Sequence, residues 1–209
     1  MKKLLCAIGM FCMWGSVHAQ RKLTEMAVHY QMNMQGQQNT SNYTVYIKGP
    51  YSRTELNNAL LFTTTIHDAK TGSAVILKEL SGQKLLIRAS AVQWKERNKK
   101  YDTLLFQQEE GGKLIMGYQA QKAIAVLKDG SKITVFYTTD VIPENKEYDP
   151  MFKNLNGLPL EWEIQQGPLA LQYAIQKINL NPIPASRFDI PTTGYRELGF
   201  EESKKGSLN

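Results

Sequence analysis

The sequence predicts a mainly β protein in which about ten strands form one antiparallel sheet, accompanied by one to three short helices. Three observations carry this prediction. Apolar residues alternate with polar residues over whole segments, turn-forming residues separate these segments at short intervals, and helical periodicity is scarce. The 209 residues are enough for one domain with a core of its own.

The clearest strand covers residues 25–34, where the large apolar side chains share one parity and the polar side chains, with Ala27, occupy the other. A period of two places the apolar set on one buried face of a strand. Leu158, Leu160 and Trp162 alternate in the same way with acidic residues. Further strands are predicted over residues 43–47, 60–66, 74–80, 84–89, 104–107, 120–127, 132–138, 158–164 and 169–180.

Turn and helix signals divide these strands. Asp129-Gly130 and Ser81-Gly82 each stand between two apolar runs, where such pairs favour hairpin turns. Ser90 and Gln93 have the spacing of a helix capping box, which predicts a helix that continues to about residue 101.

Two further regions complete the predicted elements. Asp149-Pro150 followed by Gly157 indicates one or two helical turns over residues 149–157. Prolines and a glycine after Pro182 favour an extended arm instead of a helix or strand. The side chains expected to pack this arm are Phe188, Ile190 and Tyr195.

The first nineteen residues have the features of a secretory signal peptide. Two lysines precede an apolar run, and the small residue Ala19 ends the segment. We therefore expect residues 1–19 to be removed, residues 20–202 to form a single domain and residues 203–209 to be a disordered tail. The mature protein is then a soluble exported protein of the periplasm or the extracellular space.

Removal of this segment changes the chemistry of the chain. Both cysteines, Cys6 and Cys12, lie inside it, so the exported protein has no thiol for catalysis, metal binding or disulfides. The two lysines leave with it, and the formal net charge falls from +6 to +4. A charge of this size favours anionic surfaces only mildly, and we expect no nucleic-acid partner for an exported protein.

Several short strings resemble one family in their order and spacing. They are Tyr46-Ile47-Lys48-Gly49 with Arg53 and Glu55, Gly117-Tyr118 with Lys122-Ala123, Asp129-Gly130 with Val135-Phe136-Tyr137-Thr138-Thr139, Gly157-Leu158-Pro159-Leu160-Glu161, and Phe188-Asp189-Ile190-Pro191 with Gly194-Tyr195. From about Leu23 to Glu202 the chain is similar to the GLPGLI-type exported proteins of Gram-negative bacteria and their uncharacterised relatives. Leu160-Glu161 replaces the Gly-Leu-Ile continuation of that pattern, and Ala120 replaces a frequent cysteine, so no redox role carries over.

The resemblance implies a fold and, by analogy, a function. These families are similar to the periplasmic lipoprotein carriers LolA and LolB. In those carriers a single curved antiparallel sheet forms an incomplete barrel, and short helices cover its concave apolar side. Carriers of this shape hold acyl chains. A function taken from a shared fold is an analogy, because one fold hosts many activities.

A stripe of soft apolar side chains is the candidate surface for a hydrophobic ligand. Its members are Met26, Val28, Tyr30, Met32 and Met34 on the first long strand, with Leu158, Leu160 and Trp162 on a later one. Unbranched thioethers adapt to flexible acyl chains, so the stripe suits a hydrophobic cavity. The alternative is that the same residues form the core face of their strands.

A basic cluster follows the predicted capping box. It consists of Lys95, Arg97, Lys99 and Lys100, and Glu96 is its one acidic neighbour. On an amphipathic lid these charges would contact an anionic bilayer surface. The alternative is a charged face that is solvated and has no partner.

Residues for catalysis or metal binding are scarce. His29 and His67 lie far apart without ligand spacing, so we expect surface or satisfied histidines and no metal. Glu161 and Glu163 share a strand face at roughly 6–7 Å, which is wider than the carboxylate pair of a retaining glycosidase. The sequence shows no nucleophile motif. We expect no cofactor and no enzymatic activity.

These observations favour an exported, non-enzymatic protein that binds a hydrophobic ligand, a lipid or a lipidated protein, on the concave face of its sheet. An anionic membrane surface is a further candidate partner. The alternative function is a structural or protein-interaction module of the cell envelope without a ligand cavity. A packed sheet interior favours this alternative, whereas a continuous apolar cavity favours ligand binding.

Overall fold

A computed structural model of the chain describes residues 21–36 and 40–205. The predicted signal peptide, residues 1–19, lies outside the described residues, as does the predicted tail beyond residue 205. One open sheet of 12 strands dominates the described chain, which confirms the predicted mainly β class. Two further strands pair with each other outside this sheet.

The strands are β1 Arg21–Leu23, β2 Glu25–Met34, β3 Thr40–Lys48, β4 Tyr51–Asn57, β5 Leu61–Asp68, β6 Ser73–Leu80, β7 Gln83–Ala89, β8 Gln107–Ile115, β9 Tyr118–Val126, β10 Lys132–Thr138, β11 Val141–Pro143, β12 Leu158–Gln166, β13 Leu169–Asn179 and β14 Arg196–Glu197. The α-helices of the described chain are α1 Ala91–Asn98 and α2 Phe200–Lys205. Its 3-10 turns are Lys99–Tyr101, Lys146–Tyr148 and Ala185–Phe188.

The large sheet has the strand order β14-β7-β6-β5-β4-β3-β2-β13-β12-β10-β9-β8. Its neighbouring strands are antiparallel except for β14 and β7, and the separate pair β1 and β11 is parallel. Strands β2 to β7 form a continuous meander, and β13 returns beside β2. The two halves of the chain therefore meet in the middle of the sheet, at the β2–β13 pair.

One face of the sheet, here called the inner face, carries the main core. Met26, Val28 and Tyr30 of β2 belong to this core, as the alternation predicts, and Leu158 and Leu160 of β12 join them. Each of these five side chains is at most 3% exposed. Full burial of an apolar side chain of this size stabilises a fold by roughly 1.5–3 kcal/mol.

Much of the inner face is covered by an irregular part of the chain. Residues 144–157, here called the inner segment, place Tyr148, Met151, Phe152 and Leu155 in the main core. Helix α1 covers another part of the face, over β6 and β7. An apolar strand face must be shielded from water, and here a segment with little regular structure contributes most of the shield.

The opposite face, here called the outer face, is crossed by the C-terminal arm. Ile190 and Tyr195 of the arm pack against Val75, Leu77 and Leu86 of β6 and β7. The arm thus covers apolar residues that alternation places away from the inner face. The stretch after Pro182 is thus extended in part, as the prolines predict, but it also contains a 3-10 turn, the short strand β14 and helix α2, which the prediction did not include.

Two local predictions were wrong. Residues 149–157 do not form a helix: two hydrogen-bonded turns follow Asp149, closed by the N–H groups of Phe152 and Leu155, and the apolar side chains enter the core. Residues 104–107 do not form a strand, because β8 begins at Gln107 and runs onward from there. Residues 203–205, within the predicted tail, lie in helix α2.

Candidate functional site

The residues predicted to bind a hydrophobic ligand come together on the inner face. β2 and β12 flank β13, so their apolar stripes lie two strands apart. The buried members are Met26, Val28, Tyr30, Met32, Leu158, Leu160 and Trp162. Met34, at the end of β2, is half-buried. Their role in ligand binding stays a prediction.

Trp162 is the centre of an aromatic cluster on the inner face. Its ring stacks on Tyr173 at a centroid distance of 4.4 Å and meets Tyr30 and Phe152 edge-on at 4.8 and 5.1 Å. The buried indole Nε1 of Trp162 has no hydrogen-bond partner among the described residues. Side chains of the protein itself, above all Phe152, occupy the space above Trp162 that the predicted ligand would take.

A small cavity, here called the polar cavity, lies on the same face and has a volume of about 120 Å³. Strands β3, β4 and β5 form one side, and the inner segment and α1 form the other. The lining residues are Tyr43, Ser52, Thr54, Thr65, His67, Trp94, Tyr148, Asp149 and Pro150. The strand register creates a hydroxyl-rich wall, since Ser52 is opposite His67 and Thr54 is opposite Thr65.

Asp149 is the acidic group of the polar cavity. Its Oδ1 accepts a hydrogen bond from the Met151 backbone N–H at 2.9 Å, and its Oδ2 accepts one from Tyr43 Oη at 3.3 Å. Burial raises the pKa of the Asp149 carboxyl above its ordinary 3.8 and outweighs these two hydrogen bonds. The described residues that line the cavity include no lysine or arginine, so the carboxylate has no cationic partner there.

Two buried side chains of the cavity carry polar atoms without partners. His67 Nδ1 and Tyr148 Oη make no hydrogen bond to any described residue, although these residues are only 4% and 5% exposed. Desolvation lowers the pKa of His67 below 6.5, and burial raises the pKa of Tyr148 well above 10.0, so both rings are uncharged near neutral pH. Buried polar groups are normally paired, so these two orphan atoms, on residues that line one cavity, mark it as a candidate site for a hydrogen-bonding ligand.

Sequence reasoning missed this cavity. It placed Asp149 at a helix N-cap and treated His67 as a surface or satisfied side chain, whereas the structure buries the His67 ring against Trp94 at 5.5 Å. One usable signal existed. Ser52 and Thr54 occupy inner-face positions of β4, where the neighbouring strand β3 carries apolar residues. Polar residues at core-facing positions often mark a hydrated or ligand-binding site.

Helix α1 presents the predicted basic cluster to solvent. The capping box is confirmed, since Ser90 Oγ accepts from the Gln93 N–H and Gln93 Oε1 accepts from the Ser90 N–H. The exposed members of the cluster are Lys95, Arg97, Lys99 and Lys100, on α1 and the 3-10 turn after it. Trp94, on the same helix, is half-buried and lines the polar cavity. Contact of the cluster with a membrane stays a prediction.

The predicted pair of acidic residues lies on the outer face, at a shallow depression of about 380 Å³. Glu161 pairs with Lys113, whose ammonium lies 4.1 Å from the centre of the Phe136 ring. Glu163 Oε2 accepts a hydrogen bond from Gln172 Nε2 at 2.7 Å. Each carboxylate therefore has its own partner, as expected for charged side chains on a sheet surface.

Within residues 21–36 and 40–205 no group of three His, Cys, Asp or Glu side chains is placed to hold a metal ion. No helix of the described chain is both long enough and apolar enough to cross a bilayer. His29 is half-buried, and its Nδ1 lies 3.3 Å from Thr44 Oγ1.

No protein-family model and no curated protein matches the chain. Among solved structures, PNGF-II gives a TM-score of 0.54 at 13% identity, with 88% of this chain and 33% of that chain covered. The chain therefore spans about a third of the length of PNGF-II.

An uncharacterized conserved protein from Thermus thermophilus gives a TM-score of 0.52 at 10% identity, with 84% of this chain and 90% of that chain covered. The Mycobacterium tuberculosis lipoprotein LppX gives a TM-score of 0.36 at 13% identity, with 76% of this chain and 88% of that chain covered. The likenesses to PNGF-II and the Thermus protein concern the fold alone.

Proposed function

We propose that this chain is an exported, non-enzymatic binding protein that takes an apolar ligand, a lipid or a lipidated protein, onto the inner face of its sheet. The observation that carries the proposal is that an irregular segment, and not a strand or a long helix, covers that face. The main core is closed by the inner segment, whose regular structure is one 3-10 turn. A cover that belongs to no strand ladder can move aside while the sheet keeps its hydrogen bonds.

Side-chain contacts hold the inner segment at its C-terminal end. Lys153 Nζ lies 2.5 Å from Asp102 Oδ1, and Asn154 Nδ2 donates to the Leu104 carbonyl oxygen at 2.8 Å. Partly exposed ion pairs and single hydrogen bonds contribute only about 0.5–1.5 kcal/mol each. Burial of apolar side chains such as Phe152 therefore supplies most of the attachment.

An acyl chain can replace these apolar contacts. Each buried methylene contributes about 0.8 kcal/mol, so a chain of about six methylenes matches the burial of two core side chains. A carboxyl or ester oxygen on the ligand would also give Trp162 Nε1 the acceptor that it lacks among the described residues. In this mechanism the ligand and the inner segment compete for the same surface.

The family resemblance supports the same proposal. GLPGLI-type proteins are exported, and the LolA and LolB carriers, to which they are similar in fold, hold acyl chains on the concave side of a curved sheet, so the support is an analogy of fold. Under this proposal residues 1–19 direct export, residues 20–202 form one binding domain, and the apolar stripe on β2 and β12 contacts the ligand. The carboxylates of Glu161 and Glu163 have no catalytic role, since each is engaged on the outer face.

A second candidate function is a structural or protein-interaction module of the cell envelope. The packing of the inner segment favours it, because Phe152 and Leu155 are each 2% exposed and already fill the face where they lie. In this function the inner segment stays in place and another surface contacts the partner. The two functions differ in one measurable event, the displacement of the inner segment.

Titration of the mature protein with a fluorescent fatty acid tests the proposal. We expect saturable binding together with faster amide hydrogen exchange in the inner segment of the complex. Met32→Glu should weaken binding by about tenfold or more, because it places an unpaired carboxylate on the buried face that the acyl chain would contact.

Gln31→Glu is the matched control. It introduces the same charge one residue earlier, on the opposite face of β2, and should bind as the wild type does. Met32→Gln, which adds polarity without charge, replaces Met32→Glu if circular dichroism shows that the latter is unfolded. Absence of saturable binding, or equal losses in the variants of both faces, would favour the interaction module.

A further inference from the structure

We propose that the polar cavity binds a small compound with a primary ammonium group. The cavity combines a carboxylate without a cationic partner, hydrogen-bond acceptors without donors, and aromatic walls. Its volume of about 120 Å³ accommodates several water molecules or a short aliphatic amine. A ligand can occupy this cavity whether or not an apolar ligand is bound on the inner face.

The unpaired acceptors come from two elements that meet at the cavity. The inner segment supplies the Asp149 carboxylate and Tyr148 Oη, and β5 supplies His67 Nδ1. The His67 ring is uncharged near neutral pH, because burial lowers its pKa. When its proton is on Nε2, the unpartnered Nδ1 presents a lone pair that can accept a hydrogen bond. An ammonium group has three donors and no acceptor, which matches this set.

The charge in the cavity selects a cation over an anion or a neutral ligand. Asp149 is the one charged group among the described lining residues. An anion would be repelled by its carboxylate, and a neutral alcohol would leave the carboxylate without a counter-charge. The rings of Tyr43, Tyr148 and Trp94 line the same space, and aromatic faces attract cations.

The cavity is accessible without unfolding of the sheet. Asp149 and Pro150 keep partial solvent exposure. Trp94, which forms one wall, is half-buried and belongs to α1, a helix without a fully buried residue. A small amine can therefore reach Asp149 directly or by a movement of α1 alone.

Calorimetric titration of the mature protein with ethylammonium chloride near neutral pH tests the proposal. We expect saturable binding of ethylammonium and none of ethanol or acetate, which have similar size but are neutral and anionic. Asp149→Asn should weaken ethylammonium binding by about tenfold or more, since it removes the charge and keeps the side-chain shape.

Glu144→Gln is the matched control, because it removes an exposed charge of the same sign from the inner segment and lies outside the lining. It should bind ethylammonium as the wild type does. Tyr148→Phe deletes only Oη, should weaken binding by about threefold to tenfold, and serves alone if Asp149→Asn does not fold. Equal binding of ethanol or acetate, or unchanged affinity in the folded cavity variants, would overturn the proposal.

The primary ammonium group can belong to a free amine or to a lipid headgroup. Monomeric dihexanoyl phosphatidylethanolamine should displace ethylammonium if the headgroup enters the cavity, and dihexanoyl phosphatidylglycerol should not. Displacement by the first lipid assigns a headgroup, and no displacement by either assigns a free amine. Equal displacement by both lipids would contradict selection of an ammonium group. Failure of fatty-acid binding leaves these outcomes unaffected.

Discussion

The Asp149 carboxyl is surrounded by phenol rings and lacks a cation among the described lining residues of its cavity. The phenols that face it belong to Tyr30, Tyr43, Tyr148 and Tyr173, and burial raises the pKa of each, so none is charged near neutral pH. Burial also raises the pKa of Asp149 itself. Its ionisation near neutral pH therefore costs free energy of folding.

We expect Asp149→Asn to be more stable than the wild type at about pH 8, and the difference to vanish on acidification. An acid whose pKa is raised by folding lowers the stability of the folded state as the pH rises from its ordinary pKa to the raised value, and the full cost is present above the raised value. Below the ordinary pKa of 3.8 the aspartic acid is neutral in both the folded and unfolded states, and the advantage of asparagine is gone. Urea unfolding of both proteins over a pH series measures the difference in the free energy of unfolding.

The control for this prediction is Asp189→Asn, which neutralises an exposed acid on the C-terminal arm and should leave the stability unchanged. At about pH 8 His67 is uncharged in the wild type and in both variants, because burial lowers its pKa below 6.5, so it does not contribute to the difference there. A lower stability of Asp149→Asn at alkaline pH would show that the carboxylate stabilises the fold. If Asp149→Asn is more stable than the wild type and no longer binds the amine, Asp149 serves ligand binding at the expense of stability.

The junction between the inner segment and β12 depends on a glycine. A Cβ at Gly157 would stand 2.8 Å from Tyr137 Cδ2 and against the backbone carbonyl oxygen of Thr138. We expect Gly157→Ala to lower the free energy of unfolding by about 1–3 kcal/mol, as overpacking does, in urea titrations. Gly199→Ala is the control, since a Cβ there meets only Glu202 at 3.9 Å. Equal losses in the two variants would contradict this explanation.

Elements that bury one apolar face were predictable from the sequence. Alternation located β2 and β12, and the capping box located α1. β8 escaped prediction because it is exposed along almost its whole length and carries no alternation. β4 escaped because two of its three inner positions, Ser52 and Thr54, are polar. Both strands are fixed by pairing with their neighbours instead of by an apolar face of their own.

The two candidate surfaces of the inner face also differ in how far the sequence predicts them. The apolar stripe follows from the parity of β2 and β12, so its members were found together. The polar cavity joins His67 of β5 to Asp149 and Tyr148 of the inner segment, which are distant in sequence. Their proximity depends on sheet order and on the path of an irregular segment, and no local pattern encodes either of these.

Across the whole molecule the sheet separates two kinds of surface. The outer face is covered at β6 and β7 by the C-terminal arm. The inner face carries the apolar stripe, the polar cavity, the inner segment and α1. Trp94 lines the cavity from α1, while the basic side chains of the same helix are exposed to solvent. A membrane that contacted α1 would therefore lie on the side of the sheet that holds both candidate sites.

We expect the mature protein to bind phosphatidylglycerol vesicles more tightly than phosphatidylcholine vesicles in co-sedimentation at low salt. A basic residue near an acidic bilayer contributes about 1 kcal/mol. Joint replacement Lys95→Gln and Arg97→Gln should therefore weaken binding to the anionic vesicles by about 2 kcal/mol, about thirtyfold. Added salt should weaken the wild-type interaction, because it screens exposed charges.

The control variant, Lys177→Gln with Arg187→Gln, removes the same charge from the opposite side of the molecule. Lys177 is exposed on β13 beside His29, and Arg187 is exposed on the C-terminal arm over the ring of Tyr46. If α1 is the contact surface, this variant keeps nearly the wild-type affinity. Equal losses of vesicle affinity in both variants would show that net charge alone causes the binding. Equal binding of the wild type to neutral and anionic vesicles would show that the basic cluster is a solvated face without a membrane partner.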